Sequence, residues 1–343
     1  MAQPNNPLVK DTTPLLPPPT PGPTDPSLSK QYGGIHSGTW VSRLPASWTP
    51  FIQLCRLSPP IGLILIYLPH LFGLLHAAAT LHLPPTHTLT TAALLLCGSF
   101  FFSNSSHTWN DLVDAPIDAQ ITRTKTRPIP RGAVTPRAAL AFTAVQAVLA
   151  AACLVPLPRD TALAVIPTVV ATTYYPYAKR HTNLPQVVLG FCLAWGVVVA
   201  EAAAGVPQPW RDEGTLAMVV AVGAWVVIFD TIYAHQDLED DLRVGVGSVA
   251  VLVRGWAKPA LWGLYVVMSA AWVAAGWFGG MGVGYYAVTV GGCMVSVGAM
   301  VALVDLKDGK SCWKWFSTGF FSVGAACIFG LGVEYAVGLS GRE

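Results

Sequence analysis

Charged side chains are scarce in this sequence. Asp, Glu, Lys and Arg make up only 11% of its 343 residues, whereas apolar residues make up 53%, and soluble domains carry about 25% charged residues. The net charge of +2 is too small to indicate a nucleic-acid partner. The seven cysteines show no metal-ligand spacing, which argues against a zinc site or a disulfide framework. These shortages exclude the ordinary soluble classes and leave a membrane protein.

Apolar runs about as long as a bilayer is thick recur along the whole chain. They cover residues 61–79, 88–109, 138–156, 161–177, 185–204, 215–234, 259–278, 283–303 and 315–339. The sequence therefore predicts an all-α, polytopic membrane protein with nine transmembrane helices. No long polar insert separates the runs, so residues 46–343 are expected to form one domain.

Basic residues are distributed unevenly about the nine predicted spans. All twenty Lys and Arg residues except Arg159, Arg211 and Arg342 fall in the N-terminal tail or in the even-numbered loops. Because positive charge accumulates on the cytosolic side, the N-terminus is expected in the cytosol and the C-terminus on the other side.

The first 45 residues are rich in Pro, Thr, Gly and Ser and are expected to form a disordered cytosolic tail. A mitochondrial presequence is typically rich in Arg and poor in acidic residues. Here no Arg precedes Arg43, and Asp11 and Asp25 intervene. This pattern favours an endomembrane, such as the endoplasmic reticulum, over the mitochondrial inner membrane.

Seven of the eighteen acidic residues are crowded into two short segments at the ends of the second and sixth predicted spans. These residues are Asp111, Asp114, Asp118, Asp237, Glu239, Asp240 and Asp241. Crowded carboxylates repel one another, so they indicate a cation or a cluster of bases. Because each end falls on the cytosolic face, the segments are expected to face one shared cavity.

The spacing of the carboxylates favours magnesium. Asp114 and Asp118 are four residues apart, as are Asp237 and Asp241, so on a continuing helix each pair shares one face. Hard oxygen ligands without His or Cys favour Mg²⁺ or Ca²⁺, and Mg²⁺ combines one or two carboxylates with substrate phosphates. Two such pairs would suit a diphosphate bridged by two Mg²⁺ ions.

Basic residues follow both the first acidic segment and the fourth span. Arg123, Lys125, Arg127 and Arg131 follow the acids, and Lys179 and Arg180 follow Tyr175 and Tyr177. Diphosphate oxygens need such partners. Cytosolic topology alone also explains these bases, except that Lys179 shares a helical face with the hydroxyl of Tyr175.

Five short elements of the sequence form a recognisable set: N-D-L-V-D-A-P-I-D at 110–118, Y-A-H-Q-D-L-E-D-D at 233–241, R-L-S-P-P-I-G at 56–62, R-P-I-P-R-G at 127–132 and Y-P-Y-A-K at 175–179. Together they resemble the motifs of the UbiA superfamily of intramembrane prenyltransferases, closest to the branch that acts on 4-hydroxybenzoate. They span most of the helical region in the family's order.

This resemblance implies a UbiA-type fold of nine helices around a central cavity, and a catalytic site. Asp114, Asp118, Asp237 and Asp241 would hold Mg²⁺, with Asn110 and Asp111 supporting them. Tyr175 and Lys179 would contact the diphosphate, to which Arg123, Arg127 and Arg180 are added as further candidates.

Three residues are candidates for the acceptor side. Asp230 lies deep in an apolar span, where an acid is functional by default. Either Asp230 or Asn110 would position a phenolic hydroxyl or take its proton, although a structural hydrogen bond explains Asp230 equally well. Arg56 would pair an acceptor carboxylate, or anchor a helix end.

Three functions are compatible with these patterns. The favoured one is transfer of a farnesyl or longer prenyl group from an isoprenyl diphosphate to a phenolic acid, because the chain looks like fungal meroterpenoid prenyltransferases. The second is the mitochondrial 4-hydroxybenzoate polyprenyltransferase of ubiquinone biosynthesis. The third is a cation-coupled transporter, disfavoured because the acids sit at span ends and precede bases. No obligate protein partner is indicated.

Overall fold

The computed structural model describes residues 38–340, and within that range the chain forms helices and no strands. The first helices are α1 (Thr49–Leu54), α2 (Ile61–Leu81), α3 (Pro85–Asp118), α4 (Pro136–Ala152), α5 (Arg159–Ala178), α6 (Pro185–Ala194) and α7 (Gly196–Ala203). They are followed by α8 (Glu213–Ala234), α9 (Leu238–Val244), α10 (Val249–Val253), α11 (Ala257–Phe278), α12 (Gly291–Leu303) and α13 (Gly309–Ser340). The all-α prediction is confirmed.

Every predicted apolar run coincides with helix. Seven helical segments are long and apolar enough to cross a membrane, and the chain is an integral membrane protein. The other two runs correspond to α4, which has 17 residues, and α5, which begins with Arg159 and Asp160. The count of nine crossings therefore stays a prediction.

Three predicted spans are less regular than the sequence suggested. The fifth is divided at Trp195 into α6 and α7, and the eighth begins with a π-helix, Tyr285–Val290. The sixth ends at Ala234, after which a 3₁₀ turn, His235–Asp237, leads into α9. Asp237 and Asp241 thus lie on either side of a change in helix type instead of on one continuing helix.

Proline and capping side chains fix several helix starts. Proline occupies the first position of α3, α4 and α6, where its missing N–H is not needed. The Asp212 side chain accepts a hydrogen bond from the Thr215 N–H at 2.8 Å and caps α8. These signals set the register of the helices that carry the site.

Helix α8 is the centre of the core. Its buried side chains Trp225 and Phe229 pack in one cluster with Phe72 of α2, Trp272 of α11 and Phe320 of α13. The outer helices instead expose large apolar side chains such as Val148 and Trp277. Such a surface is unsuited to water and suited to lipid.

Helices α2 and α7 approach unusually closely. A Cβ added to Gly73 would lie 2.3 Å from the Val197 carbonyl oxygen, so only glycine fits there. Small residues at such crossings allow van der Waals packing between backbones inside a membrane.

The predicted tail lies largely outside the described residues, which begin at Gly38. The last part of its range, residues 38–45, includes a 3₁₀ turn, Val41–Arg43, whose Val41 side chain is buried.

Candidate active site

A cavity of about 750 Å³ opens among the helix ends that carry the acidic segments. The predicted site residues in its wall are Arg56, Asn110, Asp114, Asp118, Arg123, Arg127, Tyr175, Lys179, Asp230, Asp237 and Asp241. The wall elsewhere is largely apolar, with Leu95, Leu157, Val165 and Val199 toward the other end of the helices. The cavity therefore joins one charged end to a long oily body.

The first acidic cluster occupies the C-terminal end of α3. Asp111, Asp114 and Asp118 are all buried, because their spacing of three and four residues places them on one inward face. Lys179 Nζ lies 2.7 Å from Asp114 Oδ2. Arg127 Nη1 lies 2.8 Å from Asp118 Oδ2 and 3.1 Å from Asp111 Oδ1.

The second acidic cluster is held by Arg123, which belongs to the segment following the first cluster. The Arg123 guanidinium forks onto Asp237, with Nε 3.0 Å from Oδ1 and Nη2 2.6 Å from Oδ2. Asp241 is buried in the cavity wall and forms no ion pair with a residue in 38–340. A base from the segment after the first cluster thus neutralises an acid of the second cluster, and both clusters line the same cavity.

The three bases stay charged in spite of their burial. Burial alone lowers the pKa of Arg123, of Arg127 and of Lys179. The nearby carboxylates outweigh this effect, chiefly Asp237 for Arg123, Asp118 for Arg127 and Asp114 for Lys179, and each pKa is raised above its usual range. The site therefore keeps both signs of charge, so an anionic ligand meets cationic donors there while a metal cation meets the carboxylates.

Arg127 neutralises two buried carboxylates, so its loss should destabilise the fold. Arg127→Ala is expected to lower the free energy of unfolding by about 3–5 kcal/mol, because Asp118 loses its base and a buried charge is left uncompensated. Thermal unfolding in detergent measures this effect.

Arg254→Ala is the matched control, because Arg254 is exposed and, among residues 38–340, forms no ion pair and donates to the Val251 carbonyl at 2.9 Å. Equal unfolding of the two variants would contradict a stabilising role for Arg127.

The oxygen atoms at the charged end of the cavity and just behind its wall suit Mg²⁺. Asn110 Oδ1, Asp111 Oδ2 and Asp114 Oδ1 are buried and form no hydrogen bond with the described residues. No three His, Cys, Asp or Glu side chains in 38–340 converge closely enough to hold a metal by themselves. Because Mg²⁺ commonly completes its shell with waters and substrate phosphate oxygens, this arrangement fits metal that binds together with a diphosphate.

Two residues in the predicted set lie away from the cavity wall. Asp111 is turned toward Arg56, whose Nη2 lies 2.7 Å from its Oδ1, and toward Arg127. Arg180 is exposed, donates to the Val113 carbonyl at 2.6 Å and lies over the Tyr177 ring. Its guanidinium is therefore engaged on the outer side of α3, and the structure does not bring it to the cavity.

The sequence reasoning missed Tyr233 as a site residue. Its hydroxyl accepts a hydrogen bond from Arg123 Nη1 at 2.8 Å, and its ring lies 4.5 Å from that of Phe316 on α13. Tyr233 precedes Asp237 by four residues, as Tyr175 precedes Lys179. This repeated spacing of four residues could have indicated Tyr233 as a site residue.

The sequence model described as the UbiA prenyltransferase family matches residues 66–324, which is most of the chain. The chain belongs to the UbiA prenyltransferase family. A curated relative, prenyltransferase stbC of Stachybotrys bisbyi, is 33% identical over 296 residues, covering 85% of this chain and 87% of the relative. The mitochondrial 4-hydroxybenzoate polyprenyltransferase of Schizosaccharomyces pombe is 30% identical over 294 residues, covering 84% and 82%.

Solved structures of UbiA homologues share the fold. An apo homologue from Aeropyrum pernix K1 superposes with a TM-score of 0.67 at 25% identity, covering 77% of this chain and 96% of that one. A homologue from Archaeoglobus fulgidus, bound to GPP and Mg²⁺, superposes with a TM-score of 0.58 at 15% identity, covering 83% and 99%.

Membership of the UbiA family decides between the enzyme and transporter classes. This UbiA protein is a membrane-embedded prenyltransferase, as the sequence motifs predicted. The transporter alternative is set aside, because the family is defined by group transfer.

Proposed function

We propose that this UbiA enzyme transfers a farnesyl or longer prenyl group from its diphosphate to an aromatic carbon of a phenolic acid or polyketide. One observation carries the proposal: two acidic clusters and three permanent cations meet at one end of an otherwise apolar cavity. The charged end suits a diphosphate, and the apolar body suits an isoprenoid chain.

The donor's diphosphate binds beside Asp114, Asp118, Asp237 and Asp241, which are the residues that would hold two Mg²⁺ ions. Bound Mg²⁺ would supply Lewis-acid stabilisation of the negative charge that collects on the departing diphosphate. Lys179, Arg123 and Arg127 donate to the remaining diphosphate oxygens. To do so, each base exchanges one of its hydrogen bonds to a carboxylate for a hydrogen bond to a phosphate oxygen.

Departure of the diphosphate leaves an allylic cation in the apolar part of the cavity. The aromatic rings of Phe229 and Tyr233 line the cavity, and aromatic faces stabilise cations. The apolar wall excludes water, which would otherwise capture the cation. The acceptor's aromatic carbon then attacks the cation, and the ring carbon loses its proton to the departed diphosphate, which restores aromaticity.

Asp230, Asn110 and Arg56 are the candidates for holding the acceptor. Asp230 lies in the cavity wall one helix turn from Tyr233, within reach of a phenolic hydroxyl near the cation. Arg56 also lines the cavity, and its guanidinium would meet an acceptor carboxylate. Asp230 or Asn110 would orient the hydroxyl, and the Asp230 carboxylate would be the group that takes its proton.

The secondary-metabolite branch is favoured over the ubiquinone branch. The relatives with the names prenyltransferase stbC and polyprenyl transferase ausN, from Stachybotrys bisbyi and Emericella nidulans, support it at 33% and 34% identity. The 30% identity to the 4-hydroxybenzoate polyprenyltransferase of Schizosaccharomyces pombe supports the alternative. We place the enzyme in an endomembrane, with its N-terminus cytosolic.

The test is a substrate panel run on separated membrane fractions. Microsomal and mitochondrial membranes from a fungal expression host receive Mg²⁺, prenyl diphosphates of several lengths and phenolic acids, including orsellinic-type acids and 4-hydroxybenzoate. We expect Mg²⁺-dependent prenylation of an orsellinic-type acid in the microsomal fraction, with EDTA abolishing it. Turnover of 4-hydroxybenzoate alone, in the mitochondrial fraction, would reverse the choice of pathway.

A further inference from the structure

The segment that follows the second acidic cluster folds back onto Lys179, the lysine that pairs with Asp114 of the first cluster. Gly245 and Val246 both donate their N–H groups to the Asp241 carbonyl at 2.9 Å, and Gly245 adopts a φ of 79°, a conformation that glycine permits. The chain thereby reverses within three residues. Val246, Gly247 and Ser248 then lie in the cavity wall.

Gly247 contacts the turn that follows α5 and begins at Lys179. Its N–H donates to the Lys179 carbonyl at 2.8 Å. A Cβ at this position would lie 2.0 Å from the Thr182 carbonyl oxygen and 3.1 Å from Asn183 Oδ1. Gly247 is therefore required for close backbone approach, since no other residue fits without moving the 179–183 turn.

The far side of the same segment is fastened by Gln186. Its side-chain Oε1 accepts a hydrogen bond from the Val249 N–H at 2.9 Å inside the protein. Ser248 Oγ caps α10 by accepting from the Val251 N–H at 3.1 Å. Hydrogen bonds thus hold the chain both before and after Gly247. Because the flanking residues cannot readily move, a displacement at Gly247 would also displace Lys179.

Lys179 is the residue whose position depends on this contact. It terminates α5, its Nζ lies 2.7 Å from Asp114 Oδ2, and that Nζ lies 5.0 Å from the centre of the Tyr175 ring. A continuous path therefore runs from Asp114 through Lys179 and Gly247 to Asp241, linking one acid of each cluster.

We propose that Gly247 is a positioning residue for prenyl transfer: by allowing its backbone to dock on the Lys179 carbonyl, it sets Lys179 between the two carboxylate pairs. This inference rests on the proposed diphosphate role of Lys179. Gly247 itself carries no group that reacts.

The test is a double-mutant cycle on the full-length enzyme in nanodiscs. Gly247→Ala is expected to lower kcat/KM for the prenyl diphosphate about 100-fold, the scale of a displacement of about 1 Å. The KM for the aromatic acceptor should be unchanged. Combined with Lys179→Met, Gly247→Ala should add almost nothing, because residues that act as one unit are not additive.

Two further variants keep the result interpretable. Gly255→Ala is the control, because Gly255 is exposed and a Cβ there meets nothing within 4 Å; it should retain full activity. Gln186→Leu releases the segment without adding a Cβ at position 247 and replaces Gly247→Ala in the cycle if that variant does not fold. Only the kinetics for the prenyl diphosphate are then compared, because the Gln186 side chain also hydrogen-bonds Asp230. A smaller loss, about tenfold, is expected from it.

The outcomes separate the two proposals. If Lys179→Met leaves the KM for the prenyl diphosphate unchanged, the diphosphate role of Lys179 is wrong. Suppose instead that Lys179→Met raises that KM. If Gly247→Ala then reduces kcat/KM by the same factor in the Lys179→Met variant as in the unmodified enzyme, the positioning role of Gly247 is overturned. Unaltered kinetics for folded Gly247→Ala would overturn it as well.

Discussion

Asp114→Asn is expected to lower kcat for prenyl transfer about 10³-fold, the equivalent of about 4 kcal/mol in transition-state stabilisation. Asparagine keeps the volume and one oxygen but removes the negative charge that would hold Mg²⁺ beside the diphosphate. Asp114 is buried at the charged end of the cavity with Oδ1 unpaired among the described residues. Steady-state kinetics with a prenyl diphosphate at saturating Mg²⁺ measure the loss.

Glu239→Gln is the matched control for this substitution. Glu239 belongs to the second acidic segment, yet it is exposed and outside the cavity wall. It should retain activity within about twofold, since surface substitutions change little. Equal losses in the two variants would mean that turnover depends on the overall negative charge of the acidic segments and not on the carboxylates in the cavity.

Lys179→Met should raise the KM for the prenyl diphosphate about 10- to 100-fold. A charge-assisted hydrogen bond contributes about 1.5–3 kcal/mol, and each 1.4 kcal/mol is a factor of ten. Methionine keeps the apolar stem of the side chain. Lys179→Arg, which retains the charge, should recover part of the affinity.

Lys125→Met controls for the general positive field. Lys125 lies in the basic segment after the first cluster but is exposed and outside the cavity wall. The KM of the Lys125→Met variant for the prenyl diphosphate should stay near that of the unmodified enzyme. A comparable rise in both lysine variants would assign the effect to long-range electrostatics, and it would then disappear at high salt.

The helical spans and the acidic clusters were readable from sequence because each depends on local pattern. Apolar runs of bilayer length predict helices regardless of their neighbours. Asp111, Asp114 and Asp118 share a face through spacing alone. The confirmed family resemblance rests on these short motifs and on their order along the chain.

Contacts between distant segments were not readable in the same way. Arg123 reaches Asp237 and Tyr233 across more than 100 residues, and no local pattern reports which carboxylate a loop arginine meets. Arg180 directly follows Lys179 in sequence, but it leaves α5 in another direction and meets Val113. Trp195, at which the fifth span is divided, donates to the Ala164 carbonyl of α5 at 2.8 Å, and no local pattern reports that contact either.

Backbone contacts between distant segments, such as that of Gly247, were equally unreadable from the sequence. A glycine in a polar loop predicts only a turn, and the need for glycine here comes from the Thr182 carbonyl, which belongs to another part of the chain. Steric demands of this kind become visible only when both segments are placed.

The reach of Arg123 into the second acidic cluster also bears on how this molecule can be divided. A fragment ending between α7 and α8 would contain Arg123 but not Asp237, and its complement would contain a half-buried Asp237 without its cation. Each piece would carry an uncompensated charge in a low-dielectric setting. Co-expression of the two pieces, which lets Arg123 meet Asp237 again, should therefore restore more folded protein than either piece gives alone.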